Sequence, residues 1–320
     1  MKRFLILAAL ALSATTALAD EFPSRPIRFV VAYPAGGGVD FMARLVAGEV
    51  AARIGQPVTV ENRPGASGAL GTGIVAKAAP DGYTVLVTGD APVTQLPLLT
   101  RTTYDPYKEL AALVKGVTVP TAVTVPANSP YKTFQDLLQD ARANPGKLTW
   151  GTPGNGSSMH AELELLKERL GVDIVHVPYK GAPPIIADTI GGQISVGGPG
   201  LPPTIANVKS GQLRLLAVWE KERNRTFPDV PTVMEATGDA SLAGLPTWYG
   251  FLLPAGVPQG VAKRLETEIT AALGSAEVVR KLSEAGATVV AQGSAQFDEA
   301  NRVQSSTFAA IFKKLNIKAE

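Results

Sequence analysis

Short runs of β-branched and aromatic residues alternate along the chain with longer stretches of helical spacing. Ile27–Tyr33 predicts a strand, Val39–Ile54 a helix, Val58–Glu61 a short strand, Gly71–Ala79 a helix and Tyr83–Thr88 another strand. The pattern then restarts. Phe134–Arg142 predicts a helix, entered at Thr133 and ended by Asn144-Pro145-Gly146. Leu148–Gly151 reads as a strand, and Ser158–Leu170 as a helix closed by Gly171. Ile174–Val177, Pro183–Ile190, Gln193–Val196 and Leu213–Val218 follow as strand, helix, strand and strand. In the tail, Pro258–Leu273, Ala276–Ala285 and Phe297–Leu315 predict helices. Alternation of this kind builds βαβ units around mostly parallel sheets, an α/β class of fold.

Two strand-like stretches, Val117–Val125 and Leu213–Trp219, are placed to carry the chain between domains. If both cross, residues 20–125 and 219–320 form one Rossmann-like lobe and 126–218 the other. Twin α/β lobes on two connections make a hinged clamp, with a cleft between the carboxyl ends of both sheets.

A length of 320 residues, 45% of them apolar and 18% charged, supports two domains with real cores and excludes a disordered chain. Cysteine is absent, so a disulfide framework and a thiolate metal site are excluded. Two histidines do not suffice for a multi-histidine metal centre. No cofactor is implied.

Charge changes the picture once the N-terminus is read. Met1–Ala19 has a basic start (Lys2-Arg3), an apolar stretch (Phe4–Leu12) and small residues ending in Ala17-Leu18-Ala19, which predicts a secretory signal. Its apolar stretch is too short to cross a bilayer core of roughly 30 Å. Cleavage would remove two of the 30 basic residues and none of the 28 acidic ones, leaving 28 against 28. A basic footprint for nucleic acid or an anionic membrane is therefore absent. With no cysteine to acylate, the expected product is free in the periplasm.

Three loops carry candidate chemistry, and each joins a predicted strand to a predicted helix. Tyr33-Pro34-Ala35-Gly36-Gly37-Gly38-Val39-Asp40 leaves backbone N–H groups uncovered where a helix begins, a place that stabilises an oxyanion. Gly151-Thr152-Pro153-Gly154-Asn155-Gly156-Ser157-Ser158 repeats this in the other predicted lobe, with hydroxyls that cap a helix or meet a ligand. His176-Val177-Pro178-Tyr179-Lys180-Gly181-Ala182-Pro183 supplies Lys180, the one basic residue in these glycine-bearing loops, and Tyr179 as a cleft-lining aromatic. Each loop also reads as a plain turn that lets strand and helix pack.

Rival chemistries fit poorly. In a G-x-G-x-x-G reading from Gly36 the third glycine falls on Phe41, and Asp40 would oppose a pyrophosphate, although Glu61 stands where a ribose-binding acid would. No Gly-x-Ser-x-Gly elbow exists. Ser129-Pro130-Tyr131-Lys132 matches S-x-x-K, but Pro130 breaks the helix this motif needs. His160-Ala161-Glu162 matches H-x-E, yet no cysteine completes a zinc shell. A periplasmic hydrolase using Asp40 or Ser157 is the remaining enzymatic alternative.

The whole chain resembles the periplasmic solute-binding receptors of the tripartite tricarboxylate transporters, the Bug or TctC family. The matching segments include Pro26–Val31, Gly36–Asp40, Val60–Gly68, Pro80–Thr84, His176–Gly181, Gly211–Arg214, Pro228–Thr232 and Pro254–Pro258, in family order. The resemblance implies a type II periplasmic-binding-protein fold, no catalysis, and a small organic acid as ligand. It also implies a membrane permease as partner, or a sensor kinase ectodomain for a co-receptor, and we expect a monomer. By the same resemblance the pocket maps onto Tyr33, Pro34, Ala35, Gly36, Gly37, Gly38 and Asp40, then Thr88, Gly89 and Asp90, with Ser67 as an addition. From the second lobe come Thr152, Gly154, Asn155, Gly156, Ser157, Ser158 and His160, then Tyr179, Lys180 and Gly181. One segment departs. Where the family commonly shows an aromatic–Asp pair after the strand Gln193–Val196, this chain has Gly197-Gly198-Pro199-Gly200-Leu201-Pro202-Pro203. That side of the pocket loses bulk and a carboxylate, which suits a larger ligand or one without an amino group.

Overall fold

The computed structural model describes residues 22–245, 247–315 and 317. The predicted signal Met1–Ala19 lies outside them. The chain runs β1 (Ile27–Val31), α1 (Gly38–Ile54), β2 (Val58–Asn62), α2 (Ala69–Ala76), β3 (Thr84–Gly89), α3 (Leu96–Leu99), β4 (Leu110–Val119) and β5 (Thr121–Pro126). It continues through α4 (Phe134–Ala143), β6 (Thr149–Thr152), α5 (Ser158–Leu170), β7 (Val175–Pro178), α6 (Ala182–Ile190), β8 (Val196–Gly197), α7 (Ile205–Lys209) and β9 (Leu213–Trp219). Last come α8 (Val233–Thr237), β10 (Thr247–Pro254), α9 (Gln259–Leu273), α10 (Ala276–Glu284), β11 (Thr288–Gly293) and α11 (Ser294–Leu315).

Among the described residues the strands form two sheets, ordered β11-β4-β10-β3-β1-β2 and β7-β6-β8-β5-β9. In the first, β1 is parallel to β2 and β3, while β10 runs antiparallel between β3 and β4. In the second, β6 is parallel to β7 and β8, and β5 is antiparallel to β8 and β9. Each sheet has its own core. Phe29, Val31, Val87 and Phe251 pack under Met42, Val46 and Val50 of α1 in the first lobe. Trp150, Leu137, Leu138, Leu163 and Val196 fill the second. This is the two-lobed α/β fold that the alternation predicts, but both sheets are mixed rather than mostly parallel: four of the nine strand pairings among the described residues are parallel, because β4, β5, β9, β10 and β11 join by antiparallel neighbours outside the βαβ units.

The caps behave as read. The hydroxyl of Thr133 accepts from the Asp136 N–H while the Asp136 carboxylate accepts from the Thr133 N–H, a reciprocal pair that fixes the start of α4. Gly171 closes α5 in the left-handed conformation.

The first passage between lobes lies within Val117–Val125: β4 ends at Val119, and β5 starts at Thr121 in the other sheet. The second differs from the expectation. Leu213–Trp219 is a member of the second sheet, pairing along its length with β5. Val233 and Leu242, beyond Trp219, still belong to the second core. The return passage therefore falls after Leu242 and not at residue 219. The reason is packing: α8 needs an apolar sheet face, and β9 offers one. β10, placed between β3 and β4, has no counterpart in the alternation pattern. Buried throughout its length, it is a continuous apolar run without period.

The C-terminal helix α11 ties the lobes together. Its Phe308 and Phe312 pack on Ala161 of α5, and Lys314 pairs with Glu168 of α5 at 3.0 Å.

Candidate functional site

Three helices start at the carboxyl ends of parallel strands and face a common cleft. The first, α1, begins after Gly37 with no side chain capping its N–H groups. Opposite, α6 begins after Gly181, at φ +115° and again without a side-chain cap. The third, α5, is capped internally, since Ser157 Oγ accepts from the His160 N–H at 3.2 Å. The cleft between them holds about 560 Å³, part of it open to solvent. From the first lobe its lining takes Tyr33, Pro34, Gly37, Gly38, Ser67, Gly89 and Asp90. From the second come Ser157 and Gly181. These nine are residues that the sequence singles out, and the structure brings them together.

The lobes stand close enough to touch. The Ser67 hydroxyl donates across the gap to the Asn155 carbonyl at 3.4 Å. A methyl on Gly181 would stand 2.9 Å from Pro34 Cδ of the opposite lobe, and one on Gly154 would collide with Ser67 Oγ. Glycine is needed at both because backbone meets backbone-proximal atoms across the cleft.

Other singled-out residues lie behind this lining. The Gly36 N–H donates to Asp40 Oδ2 at 3.0 Å, so it is turned inward rather than toward the cleft. Asp40 also accepts from Arg44 Nε and Asn62 Nδ2. Burial pushes its carboxyl up, but these hydrogen bonds outweigh burial and hold the pKa below the ordinary range. Asp40 thus locks the loop; Ala35 beside it does not line the cleft either. Thr88 is buried in β3. Thr152 Oγ1 bonds His176 Nε2 at 2.7 Å, and His176 stacks on His160 at 3.9 Å. His160 Nδ1 accepts from the Gly156 N–H, which shapes the loop into α5. Tyr179, expected at the cleft, instead donates its hydroxyl to Asp188 at 2.7 Å. Lys180 lines a smaller adjoining cavity of about 180 Å³, next to Ser67 and Pro34.

Sequence reasoning missed further lining residues. Val39, Pro153 and Ala182 lie within the glycine-rich loops and Met159 just beyond one, and their apolar side chains carry no polar signal to mark them as lining. Gly200 sits in the segment that departs from the family pattern. Thr247 and Tyr249 come from β10. The alternation pattern places no strand at Thr247–Pro254, and nothing local marks the cleft-facing side of this segment.

Two buried carboxyls organise the gap. Asp90, at the end of β3, accepts on Oδ2 from Ser158 Oγ (2.5 Å), Gln95 Nε2 (3.1 Å) and Gln304 Nε2 (3.1 Å). The first of these bonds spans the two lobes. Burial raises the Asp90 pKa to about 6, against the pull of those donors. Glu162 of α5 accepts from Thr121 Oγ1 at 2.6 Å and from the Leu245 N–H at 3.1 Å. It thereby touches both stretches that join the lobes. Burial raises its pKa to about 8.

Comparison with known proteins decides the lineage. Residues 42–317 match the model of the tripartite tricarboxylate transporter family receptor, TctC. This chain belongs to that receptor family. It is 36% identical over 286 residues to a protein from the tcbD–tcbE intergenic region of Pseudomonas sp. strain P51, covering 88% of this chain and 85% of that one. The solved structure of Rpa4515 from R. palustris with adipate superposes with a TM-score of 0.89 at 29% identity, covering 93% of this chain and 99% of that one. MatC from Rhodopseudomonas palustris with bound malate gives 0.84 at 26% identity, covering 91% and 99%. TctC receptors are periplasmic solute-binding proteins and not enzymes. A receptor needs a site that grips and releases without making bonds. The cleft suits that, because its polar lining is backbone N–H, hydroxyl and the Asp90 carboxyl, and no Lys, Arg or His lines it among the described residues.

Proposed function

We propose that this receptor captures a small organic carboxylate between its lobes and delivers it, as a periplasmic monomer, to the permease of a tripartite transporter. The observation that carries this reading is the uncapped start of α1, which opens on one cleft between the lobes and faces the start of α6 across it. Unsatisfied N–H groups and the positive end of the helix dipole stabilise an oxyanion there without a buried cation. Relatives with adipate and malate bound support the ligand class. Binding would favour the closed arrangement by population shift and so present one composite surface to the permease. Isothermal titration with mono- and dicarboxylates of two to eight carbons tests the reading. Saturable heat from at least one acid is expected, and none from the corresponding amides. An absence of saturable heat from every acid refutes it. For the partner, capture of a permease subunit is expected; capture of a sensor kinase ectodomain instead would make the chain a co-receptor.

A further inference from the structure

We propose that Tyr249 completes a single carboxylate seat at the start of α1, and that the cleft takes a monoanionic organic acid. This rests on the ligand reading above and adds the residue and the charge class. Tyr249 stands on β10, whose neighbour positions 247 and 249 share one face of the sheet. Its side chain is nine-tenths buried and lines the cleft. Among the described residues the phenol oxygen has no hydrogen-bond partner, although a buried tyrosine hydroxyl ordinarily finds one. It lies between two glycines: a methyl on Gly38 or on Gly200 would each stand 2.8 Å from Tyr249 Oη. Gly38 opens α1 and Gly200 belongs to the second lobe. The phenol O–H is therefore held beside the free N–H groups of α1 and available to a bound oxyanion. Burial, and secondarily the charge of Asp90, push its pKa up, so it stays a donor at any physiological pH. Thr247 Oγ1, two residues earlier, is likewise buried without a partner.

A second carboxylate finds no comparable seat. α6 starts Gly181-Ala182-Pro183-Pro184, so two of the four N–H groups that a helix start leaves free do not exist there. The first turn of α5 is already capped by Ser157. Lys180 lines the adjoining cavity and not the main one, and among the described residues no Lys, Arg or His lines the main one.

Titration at pH 7.5 with matched mono- and dicarboxylates, hexanoate against adipate and its homologues, tests this on the full chain. The wild type should bind a monoacid at least tenfold tighter than the diacid of equal length. Tyr249→Phe, which removes only the hydroxyl, should weaken the monoacid on the order of 10- to 100-fold, as expected for a lost hydrogen bond to a charged group, with an unchanged melting temperature. Gly200→Ala, which presses a methyl on the phenol from the opposite lobe, should weaken it as well and serves if the first variant misfolds. Binding by Tyr249→Phe within about twofold of wild type overturns the proposal while the ligand reading stands. A diacid bound as tightly as the monoacid, and weakened by Lys180→Met, also overturns it. Absence of saturable heat from either class with the wild type overturns both.

Discussion

Glu162 offers the sharpest test of the physical account. Its carboxyl is fully buried on α5, where it accepts from Thr121 at the first passage between lobes and from Leu245 near the second. Burial raises its pKa from 4.5 to about 8. The sign follows from linkage: the native state holds this proton more tightly than the unfolded state, so between pH 4.5 and 8 stability falls as pH rises. At about 1.36 kcal/mol per unit, the full shift corresponds to an upper figure on the order of 5 kcal/mol. Structural relaxation reduces such figures, so a loss of about 2–4 kcal/mol is expected. Glu162→Gln keeps the shape: the amide oxygen accepts from the Leu245 N–H while the amide nitrogen donates to Thr121 Oγ1. Urea unfolding of both proteins at pH 5, 7 and 9 isolates the effect, because every other titrating group is shared. The variant should match wild type near pH 5 and exceed it by about 2–4 kcal/mol at pH 9. A variant less stable than wild type at pH 9, or a difference that does not change with pH, refutes the reasoning.

Three further outcomes are expected. Gly181→Ala places a methyl 2.9 Å from Pro34 across the gap and at φ +115°, so ligand affinity should fall by about tenfold or more while the melting temperature drops only a few degrees, read by titration and calorimetry. Ser158→Ala removes the 2.5 Å donor to Asp90 that links the lobes. Its loss should lift the Asp90 pKa above about 6, and so move upward in pH the window in which ionising Asp90 costs stability; carboxyl-carbon NMR titration reads the shift. Leu137→Ala in the second core should cost about 2–5 kcal/mol by opening a cavity beneath α4, measured by urea unfolding.

What the sequence makes legible follows the range of the interactions involved. Caps and turns are local, so Thr133 and Gly171 could be read directly, and so could the two sheets that βαβ units impose. Glycine-rich loops likewise announce that backbone will be exposed. They do not say which N–H groups remain free, because that depends on partners distant in the chain. Asn62 and Arg44 draw Asp40 away from the cleft, and Asp40 takes the Gly36 N–H with it. Tyr179 pairs with Asp188 for the same reason, a bond made only once α6 folds back.

The same logic explains why the most informative cleft residues were the hardest to see. A strand buried on both faces carries no period-2 signal, so β10 shows neither its direction nor its exposed side. Its side facing the cleft is set by its antiparallel register with β3 and β4, where Tyr249 opposes Gly89 on one side and Val117 on the other. Gly200 then acquires its meaning from Tyr249, since a side chain at 200 would occupy the space of the phenol. A missing side chain in one lobe and a hydroxyl in the other form one feature of the site. They lie about fifty residues apart and in different lobes, so no local pattern at either position reveals it, and only the meeting of the two lobes does.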